Sequence, residues 1–492
     1  MGLAAGPLLA GLTYISLPAA YLDGSGHAAA FSTAGRATAA AAVWMAVWWM
    51  TEAIPVYATA LLPLVLLPLA GAATIRQAAA PYGHELIFLF LGGFVLALAM
   101  QRWGLHRRVA YRALRLVGTS PRHIVGGFML ITAAMSMWVS NTATAITMLP
   151  IALSVVQLVG GGAGRAEMPE RHRNFALCLL LGIAYGASIG GTGTLVGTPP
   201  NLFLASYAAS HLQVEISFVR WMAIGLPLVA AFLPVAWLLL TVVLYPVGSE
   251  PVEGSQELAR SAAARLGPMS RGEWITLAAF GLAAGAWIGR PLLCRLEVAG
   301  TRPLAGLTDP GIAVLAALAL FAVPVDCRRR VFAMDWETAV HLPWGILILF
   351  GGGLSLAAAV EANGVGDWIG NQVGGLRGLP PLLLVALVTG LMIFLTELTS
   401  NTASTATLVP IFAALAPGLG LDPLLVVVPT AVAASCAFML PVATPPNAIV
   451  YGSGYVTIPQ MCRAGLWLNL IGIVLITALA YAAVLPLLGA GR

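Results

Sequence analysis

The chain has 492 residues, of which 59% are hydrophobic and only 9% are charged. Soluble domains carry about 25% charged residues, so this composition excludes an ordinary soluble protein and indicates a polytopic membrane protein. The net charge of +5 rests on arginine alone, because no lysine occurs, and we assign it to loops that face lipid headgroups, not to nucleic-acid binding. The missing lysine also excludes a Walker A loop and a Schiff-base cofactor.

Apolar runs predict an all-α protein with about eleven membrane spans and two re-entrant hairpins. The spans of the first half are predicted near 7–22, 38–56, 57–73 and 84–104, then after a hairpin near 121–158 at 173–210 and 217–246. A polar cytoplasmic linker is predicted at 248–270. The spans of the second half are predicted near 271–290, 309–325 and 339–370, then after a hairpin near 379–416 at 422–455 and 460–488.

Two copies of one unit make up most of the chain. The segment MSMWVSNTATAITMLPI matches LTELTSNTASTATLVPI, and Ser140 and Ser400 are equivalent, at an offset of 260 residues (400 − 140). We therefore divide the chain into a first span and loop (1–35), repeat 1 (36–247), the linker (248–270) and repeat 2 (271–492). Five spans per repeat would make the second copy inverted, and inverted repeats provide a route to alternating access.

Arginine placement predicts the orientation. If the N-terminus is cytoplasmic, about two thirds of the arginines fall on the cytoplasmic side, as the positive-inside rule requires. The largest cluster, which includes Arg108 and Arg115, follows the fourth span.

The two Ser-Asn-Thr tripeptides place hydroxyl and amide groups at the predicted hairpin tips. Such residues favour helix N-caps, and a helix N-terminus at mid-membrane can hold an anion without a cationic side chain. Small polar residues also stabilise the packing of membrane helices, and this is the alternative explanation for a single Ser-Asn-Thr copy. Two copies at one repeat offset favour a binding site.

A second motif pair lies in the fifth and tenth spans. Gly197-Thr198-Pro199-Pro200-Asn201 matches Ala443-Thr444-Pro445-Pro446-Asn447. Consecutive prolines interrupt a helix, and non-helical backbone at membrane depth survives only beside a cavity or inside protein. A simple proline kink is the alternative, but its repetition predicts two broken spans whose free carbonyls can bind a hard cation such as Na⁺.

Acidic residues inside the predicted spans and hairpins are few, and three of them stand out: Glu52, Glu85 and Glu397. An acidic residue in a span is a functional candidate by default. Glu397 has Met137 as its repeat equivalent, so it is not part of a symmetric site, and both a hydrogen-bonding role and ion coupling stay open for it. The five cysteines form no CxxC pair and the seven histidines show no metal-binding spacing.

Together these motifs resemble the divalent anion/sodium symporter family, which includes bacterial dicarboxylate transporters. The resemblance extends over nearly the whole chain, from WWMTEAIP in span 2 through both Ser-Asn-Thr hairpins and GTPPN to SCAFMLPVATPPNAIV in span 10. It implies a homodimer in the bacterial inner membrane. It also implies a scaffold domain (spans 1–4 and 7–9) and a transport domain (hairpins and spans 5, 6, 10 and 11) that moves like an elevator.

The resemblance also implies a set of site residues. One sodium site would use Ser136, Ser140, Asn141 and the Gly197 carbonyl, and the other Thr396, Thr399, Asn401 and the Ala443 carbonyl, with position 399 binding through its backbone. The substrate would meet Ser140, Asn141, Thr142, Ser400, Asn401 and Thr402, with Thr198, Thr444 and Pro445 nearby.

The expected function is Na⁺-coupled symport of C4-dicarboxylates such as succinate, malate or fumarate, with Na⁺ as the coupling ion. A sodium-independent dicarboxylate exchanger and a sulfate or citrate carrier are the alternatives that share this framework. A channel is disfavoured because paired neutral donors suit a carrier that binds its substrate. An intramembrane enzyme is disfavoured because no Ser/His or metal pair falls within a plausible motif.

Overall fold

The structure is a computed structural model. It describes residues 2–22, 28–114, 117–160, 168–248, 251, 261, 264, 266–298, 300–372 and 378–489. Most of the predicted linker at 248–270 and the residue Arg115 lie outside the described residues.

Helices dominate both halves of the chain. Those of the first half are Gly2–Ser16, Thr33–Thr51, Val56–Thr59, Pro63–Leu69, Ile75–Ala79, the short 3-10 helix Ala80–Gly83, Glu85–Arg102, Leu105–Leu114, Pro121–Ser136, Asn141–Gly160, Glu170–Gly191, Pro199–His211 and Phe218–Leu238, which continues as a π-helix, Leu239–Leu244. Those of the second half are Arg271–Leu293, Asp309–Ala322, Trp336–Ala339, Trp344–Ala362, Val365–Gln372, Pro381–Thr396, Asn401–Gly418, Leu424–Ala434, Pro445–Tyr451 and Ile458–Leu479, which continues as a π-helix, Ala480–Gly489.

The described strands form two small antiparallel pairs outside the helical core. Ala20–Leu22 pairs with Ala28–Ala30, and Pro324–Asp326 pairs with Val331–Phe332.

The prediction of an all-α polytopic membrane protein is confirmed. Among the described residues, seven helical segments are long and apolar enough to cross a membrane: Ile75–Arg102, Asn141–Val159, Glu170–Gly191, Phe218–Leu244, Arg271–Leu293, Trp344–Ala362 and Ile458–Leu488. Shorter apolar helices accompany them at Gly2–Ser16, Val56–Leu69, Asp309–Ala322, Pro381–Thr396 and Leu424–Ala434.

The predicted span over 339–370 is divided. The helix Trp344–Ala362 ends at Ala362, and a second helix, Val365–Gln372, follows. Gly364, at φ +69°, makes the turn, as Gly104 at φ +72° does in the first half. The sequence does not indicate that 339–370 forms two helices, because Val365–Gln372 lacks the arginines that mark its counterpart Leu105–Leu114.

Two helical hairpins carry the Ser-Asn-Thr segments. We name hairpin 1 the pair Pro121–Ser136 and Asn141–Gly160, and hairpin 2 the pair Pro381–Thr396 and Asn401–Gly418. The first helix of each has 16 residues, a rise of about 24 Å, which is shorter than the hydrocarbon core of about 30 Å. First helices of this length suit the predicted re-entrant arrangement, with the tip of each hairpin inside the bilayer.

Two helices are interrupted beside these tips. Broken span 1 consists of Glu170–Gly191 and Pro199–His211, and broken span 2 of Leu424–Ala434 and Pro445–Tyr451. The predicted interruptions before the paired prolines are therefore confirmed. Broken span 1 packs on hairpin 1 at backbone distance, since a Cβ added at Gly190 would lie 2.3 Å from the Ala133 carbonyl oxygen. This close approach positions the break beside the hairpin tip.

Candidate substrate and cation site

One cavity of about 700 Å³ lies where the two hairpin tips meet the two breaks. Its volume is within the range of about 300–1,000 Å³ that is usual for small-molecule sites. From the tips and breaks it is lined by Trp138, Ser140, Asn141, Thr142, Val196, Gly197, Thr198, Pro199, Leu398, Thr399, Ser400, Asn401, Thr402, Val442, Ala443, Thr444, Pro445 and Pro446. Both repeats therefore contribute to a single site.

Each hairpin tip contains the N-terminus of the second helix, and the residues of this N-terminus line the cavity. The second helix of each hairpin begins at its Asn, directly after a Ser that caps it. The Ser140 hydroxyl accepts a hydrogen bond from the Ala143 N–H at 3.3 Å, and the Ser400 hydroxyl accepts one from the Ala403 N–H at 3.5 Å. The remaining free N–H groups and the positive dipole end give each tip a preference for anions.

A hydroxyl behind each tip fixes the orientation of the asparagine amide. Ser136 donates to Asn141 Oδ1, and Thr396 donates to Asn401 Oδ1 at 2.7 Å. The Thr396 hydroxyl also lies 3.0 Å from the Ala434 carbonyl. Both hydroxyl residues are fully buried. The two asparagines thus present their amides in the same way in the two halves.

Two glycines, Gly191 and Gly197, leave a small space beside Asn141 that a side chain would fill. A Cβ built at Gly191 would lie 2.8 Å from Asn141 Oδ1 and 3.3 Å from the Gly197 carbonyl oxygen, and one at Gly197 would lie 2.4 Å from the Gly191 carbonyl oxygen. The amide oxygen and the Gly197 carbonyl therefore converge around a position that only glycine leaves open. Such neutral oxygens are the ligands that a hard monovalent cation takes in transporters with broken helices.

The asparagine of each Pro-Pro-Asn motif holds its break together. Asn201 Nδ2 donates to the Gly191 carbonyl at 3.0 Å and to the Thr194 carbonyl at 2.7 Å. Asn447 Nδ2 makes the equivalent bonds to Ala437 at 3.1 Å and Leu440 at 3.0 Å. Neither asparagine is among the site residues predicted from the sequence. Their repetition beside the prolines is the signal that could have identified them, because the carbonyls freed by a break need donors.

Glu397 binds the backbone of the second break. Its carboxylate accepts from the N–H groups of Phe438 at 2.7 Å, Met439 at 2.9 Å and Leu440 at 3.1 Å, and from Asn469 Nδ2 at 2.8 Å. The side chain is 4% exposed and is absent from the described lining of the cavity. Of the two roles left open for Glu397, this geometry favours the hydrogen-bonding one.

The structure brings the predicted site residues together. All nine predicted substrate residues line the cavity, as do Gly197, Thr399 and Ala443. Ser136 and Thr396 lie behind the wall, buried against the two asparagines. The Thr399 hydroxyl bonds to the Leu395 carbonyl at 2.9 Å and to the Ser404 hydroxyl at 2.6 Å, so its side chain is engaged within hairpin 2.

Residues outside the tips and breaks complete the lining of the cavity. Glu52, Tyr57, Gln101 and His341 line it, and no lysine or arginine does so within the described part of the chain. An anion held here would meet hydroxyls, amides and helix N-termini, but no cationic lysine or arginine side chain.

A membrane-embedded helical protein with a polar cavity between two broken spans has the architecture of a secondary transporter. The chain belongs to the family described as the sodium:sulfate symporter transmembrane region, whose model matches residues 26–488. This is the divalent anion/sodium symporter family that the motifs resemble.

Characterised relatives cover almost the full chain. The sodium-dependent dicarboxylate transporter SdcS of Staphylococcus saprophyticus is 41% identical over 492 residues, 99% of this chain and 92% of that protein. SdcS of Staphylococcus aureus strain USA300 is 41% identical over 493 residues, with the same coverage.

Solved structures share the fold at low identity. The Alcanivorax borkumensis YdaH transporter has a TM-score of 0.59 at 16% identity, over 97% of this chain and 96% of its own. Neisseria gonorrhoeae MtrF has a TM-score of 0.53 at 14% identity, over 86% of this chain and 85% of its own. These likenesses concern the fold alone.

Proposed function

We propose that this protein is a secondary transporter that couples Na⁺ to the uptake of C4-dicarboxylates such as succinate, malate and fumarate. The observation that carries the proposal is the single cavity lined by two Ser-Asn-Thr tips and two Thr-Pro-Pro breaks. The sodium-dependent dicarboxylate transporters at 41% identity over 99% of the chain support the same substrate and ion.

The site explains why the anion needs a cation. Two carboxylates carry two negative charges, and the described lining offers no lysine or arginine to balance them. Helix N-termini supply only partial charge, roughly half a unit each. Na⁺ ions bound next to Asn141 and Asn401 would supply the missing positive charge close to the substrate carboxylates. The affinity for anion and cation would then rise together, which is the thermodynamic requirement for coupling.

The two proposed cation sites follow the repeat. One comprises Ser136, Ser140, Asn141 and the Gly197 carbonyl. The other comprises Thr396, Thr399, Asn401 and the Ala443 carbonyl. The paired hydrogen bonds of Asn141 and Asn401 support this assignment, and the position left open by Gly191 supports it for the first site.

The proposal includes the assembly and the motion. Repeat 1 (36–247) and repeat 2 (271–492) would be inverted in the membrane, joined by the cytoplasmic linker 248–270, with the N-terminus in the cytoplasm. The hairpins, broken spans and last spans of each repeat would move as a transport domain against the scaffold. The protein would work as a homodimer in a bacterial inner membrane. The repeated helix order of the two halves supports the division into two repeats.

Uptake into proteoliposomes tests the function directly. Labelled succinate is offered to the purified full-length protein under an inward Na⁺ gradient and, in parallel, under an equal K⁺ gradient. We expect concentrative uptake only with Na⁺, and inhibition by unlabelled malate and fumarate. Equal uptake without Na⁺ that requires dicarboxylate inside the vesicle would identify an exchanger instead. Uptake of sulfate or citrate in preference to succinate would overturn the substrate assignment.

A further inference from the structure

The charged side chains of the cavity have the wrong sign for its proposed substrate. Within the described lining, Glu52 is the one carboxylate, and no lysine or arginine accompanies it. A site proposed for a doubly charged anion therefore carries a negative side chain on its wall. Because like charges repel, the presence of this carboxylate needs a physical explanation.

The backbone around Glu52 is fixed. Glu52 adopts a left-handed conformation, with φ +45° and ψ +41°, at the C-terminal end of the helix Thr33–Thr51. This conformation is unfavourable for a residue other than glycine. The indole N–H of the fully buried Trp49 donates to the Val56 carbonyl at 3.0 Å and closes the turn that contains Glu52. The turn therefore holds the carboxylate at the cavity wall.

Different parts of the lining have opposite polarity. The hairpin tips present the N-termini of Asn141–Gly160 and Asn401–Gly418, which carry partial positive charge. Glu52 lies at the C-terminal end of Thr33–Thr51, where the helix dipole is negative, so the dipole and the carboxylate act in the same direction. An anion is therefore repelled from this part of the wall, while a cation is attracted into the cavity.

The effect of Glu52 depends on which ligands are bound. A dicarboxylate alone brings two negative charges into the cavity, and Na⁺ alone brings positive charge. A dicarboxylate together with two Na⁺ ions, one at each proposed cation site, has no net charge. Glu52 therefore opposes binding of the anion alone, favours binding of Na⁺, and has little net effect on the fully loaded site.

We propose that Glu52 prevents the dicarboxylate from occupying the site without Na⁺. Its charge lowers the affinity of the empty cavity for the anion and raises the affinity for Na⁺, so the cation binds first and the anion follows. The inference rests on the proposed function. It gives a role in coupling to an acidic residue that lies outside both Ser-Asn-Thr segments and both breaks.

The experiment measures two constants in proteoliposomes for wild type and Glu52→Gln: the KM for succinate at saturating Na⁺ and the Na⁺ concentration for half-maximal uptake. A sphere with the cavity's volume of about 700 Å³ is about 11 Å across, close to the screening length of about 8–10 Å in physiological salt. A unit charge at this range changes the affinity for a dianion by about 3-fold. We expect the KM to fall about 3-fold and the half-maximal Na⁺ concentration to rise about 2-fold.

Two further variants and a change of salt separate charge from shape. Glu52→Arg reverses the charge, so the KM for succinate should fall about 9-fold, the square of the effect of neutralisation. Glu52→Gly removes the charge and also relieves the left-handed backbone, and both constants should match those of Glu52→Gln. Added choline chloride shortens the screening length, so the difference between wild type and Glu52→Gln should become smaller.

Two control variants test whether the effect belongs to the cavity. Glu85→Gln removes the same charge from an exposed residue that is not among the described cavity residues, and both constants should stay unchanged. His341 is the one side chain of the described lining that can take up a proton and become positive. The opposite shifts of the two constants should persist when Glu52→Gln is made in a His341→Gln background.

The outcomes separate this inference from the proposed function. If wild type shows Na⁺-driven uptake but Glu52→Gln changes neither constant, the inference is wrong and the function stands. Weaker binding of both succinate and Na⁺ also overturns it, because a damaged fold produces that result and a lost charge does not. Shifts that stay the same at high salt exclude an electrostatic role. Failure of the wild type to accumulate succinate with Na⁺ overturns the proposed function, and the inference falls with it.

Discussion

The two halves of the site present the same polar groups but support them differently. In the first half, the break is held by the Trp221 indole, which donates to the Thr192 carbonyl at 2.9 Å, and by the Thr194 hydroxyl, which donates to the Met137 carbonyl. In the second half, the Glu397 carboxylate stabilises the break instead, by accepting hydrogen bonds from the N–H groups of Phe438, Met439 and Leu440. One set of neutral bonds and one buried carboxylate thus maintain two similar breaks.

The halves also differ in how tightly they pack. Gly191 has no room for a Cβ, whereas its equivalent in the second break is Ala437, which carries one and is fully buried. Both residues accept a hydrogen bond from the asparagine of their Pro-Pro-Asn motif. The comparison shows that the two breaks keep the same asparagine hydrogen bond although the packing around it differs.

The largest effect is expected when the asparagine amide that both halves share is removed. Asn141→Ala and Asn401→Ala should each lower Na⁺-driven succinate uptake by about 100-fold, because each deletes contacts to charged groups that are worth about 1.5–3 kcal/mol apiece. Transport by the purified, monodisperse variants is the measurement. Asn174→Ala, which removes an exposed amide bonded to the Pro246 carbonyl, is the control. Near-normal uptake in either cavity variant would contradict the two-site assignment.

A smaller effect separates the halves by packing. Gly191→Ala places a methyl group against Asn141 and Gly197, and overpacking of this kind costs about 1–3 kcal/mol. We expect the Na⁺ concentration for half-maximal uptake to rise by roughly 10-fold or more. The reverse change in the second half, Ala437→Gly, should alter it by about 4-fold or less, since about 0.8 kcal/mol of apolar burial is lost. Equal effects of the two changes on the Na⁺ concentration for half-maximal uptake would contradict the inferred difference in packing between the two halves.

The support of the second break can be tested at Glu397. Glu397→Gln keeps the shape but replaces one acceptor oxygen with an amide that faces backbone N–H donors. Bonds to a charged acceptor are worth about 1.5–3 kcal/mol each, so thermal unfolding in detergent should occur several degrees lower. Met137→Leu, at the equivalent position, should leave the unfolding temperature nearly unchanged. If Glu397→Gln abolishes Na⁺ dependence while stability is retained, ion coupling is the correct role.

The smallest effect concerns a single neutral bond in the first half. Thr194→Val removes the hydroxyl that donates to the Met137 carbonyl, and a bond of this type contributes about 1 kcal/mol. We expect a slight decrease in the unfolding temperature and a change in uptake of less than about 5-fold. A loss as large as that of the Glu397 variant would mean that the two halves depend equally on their anchors.

Local chemistry made part of this site predictable. Ser140 and Ser400 cap helices because their side chains satisfy backbone N–H groups within the same turn. The breaks precede Pro199 and Pro445 because consecutive prolines remove donors and clash with a preceding helical turn. Both effects act over a few residues, so the sequence alone was sufficient to predict them, and the repetition of the motifs distinguished them from ordinary packing.

The remaining features depend on contacts between distant segments. Glu397 meets Asn469 from a different helix, and nothing near either residue in the chain indicates the pairing. Gly191 has no room for a Cβ because Asn141, which is distant in the chain, packs against it. The exposure of Leu398 and Val442 is likewise a property of the assembled cavity, since both residues resemble any other apolar residue of a membrane helix.

The sequence by itself determined the class of protein, the repeated motifs and the polar groups that line the cavity, because apolar run length, capping and proline chemistry are local. Only the tertiary structure decided that both tips and both breaks share one cavity, that Glu397 anchors backbone, and that the two halves differ in their free space. Those properties arise from long-range packing, which places side chains far apart in the chain within a few ångströms of each other.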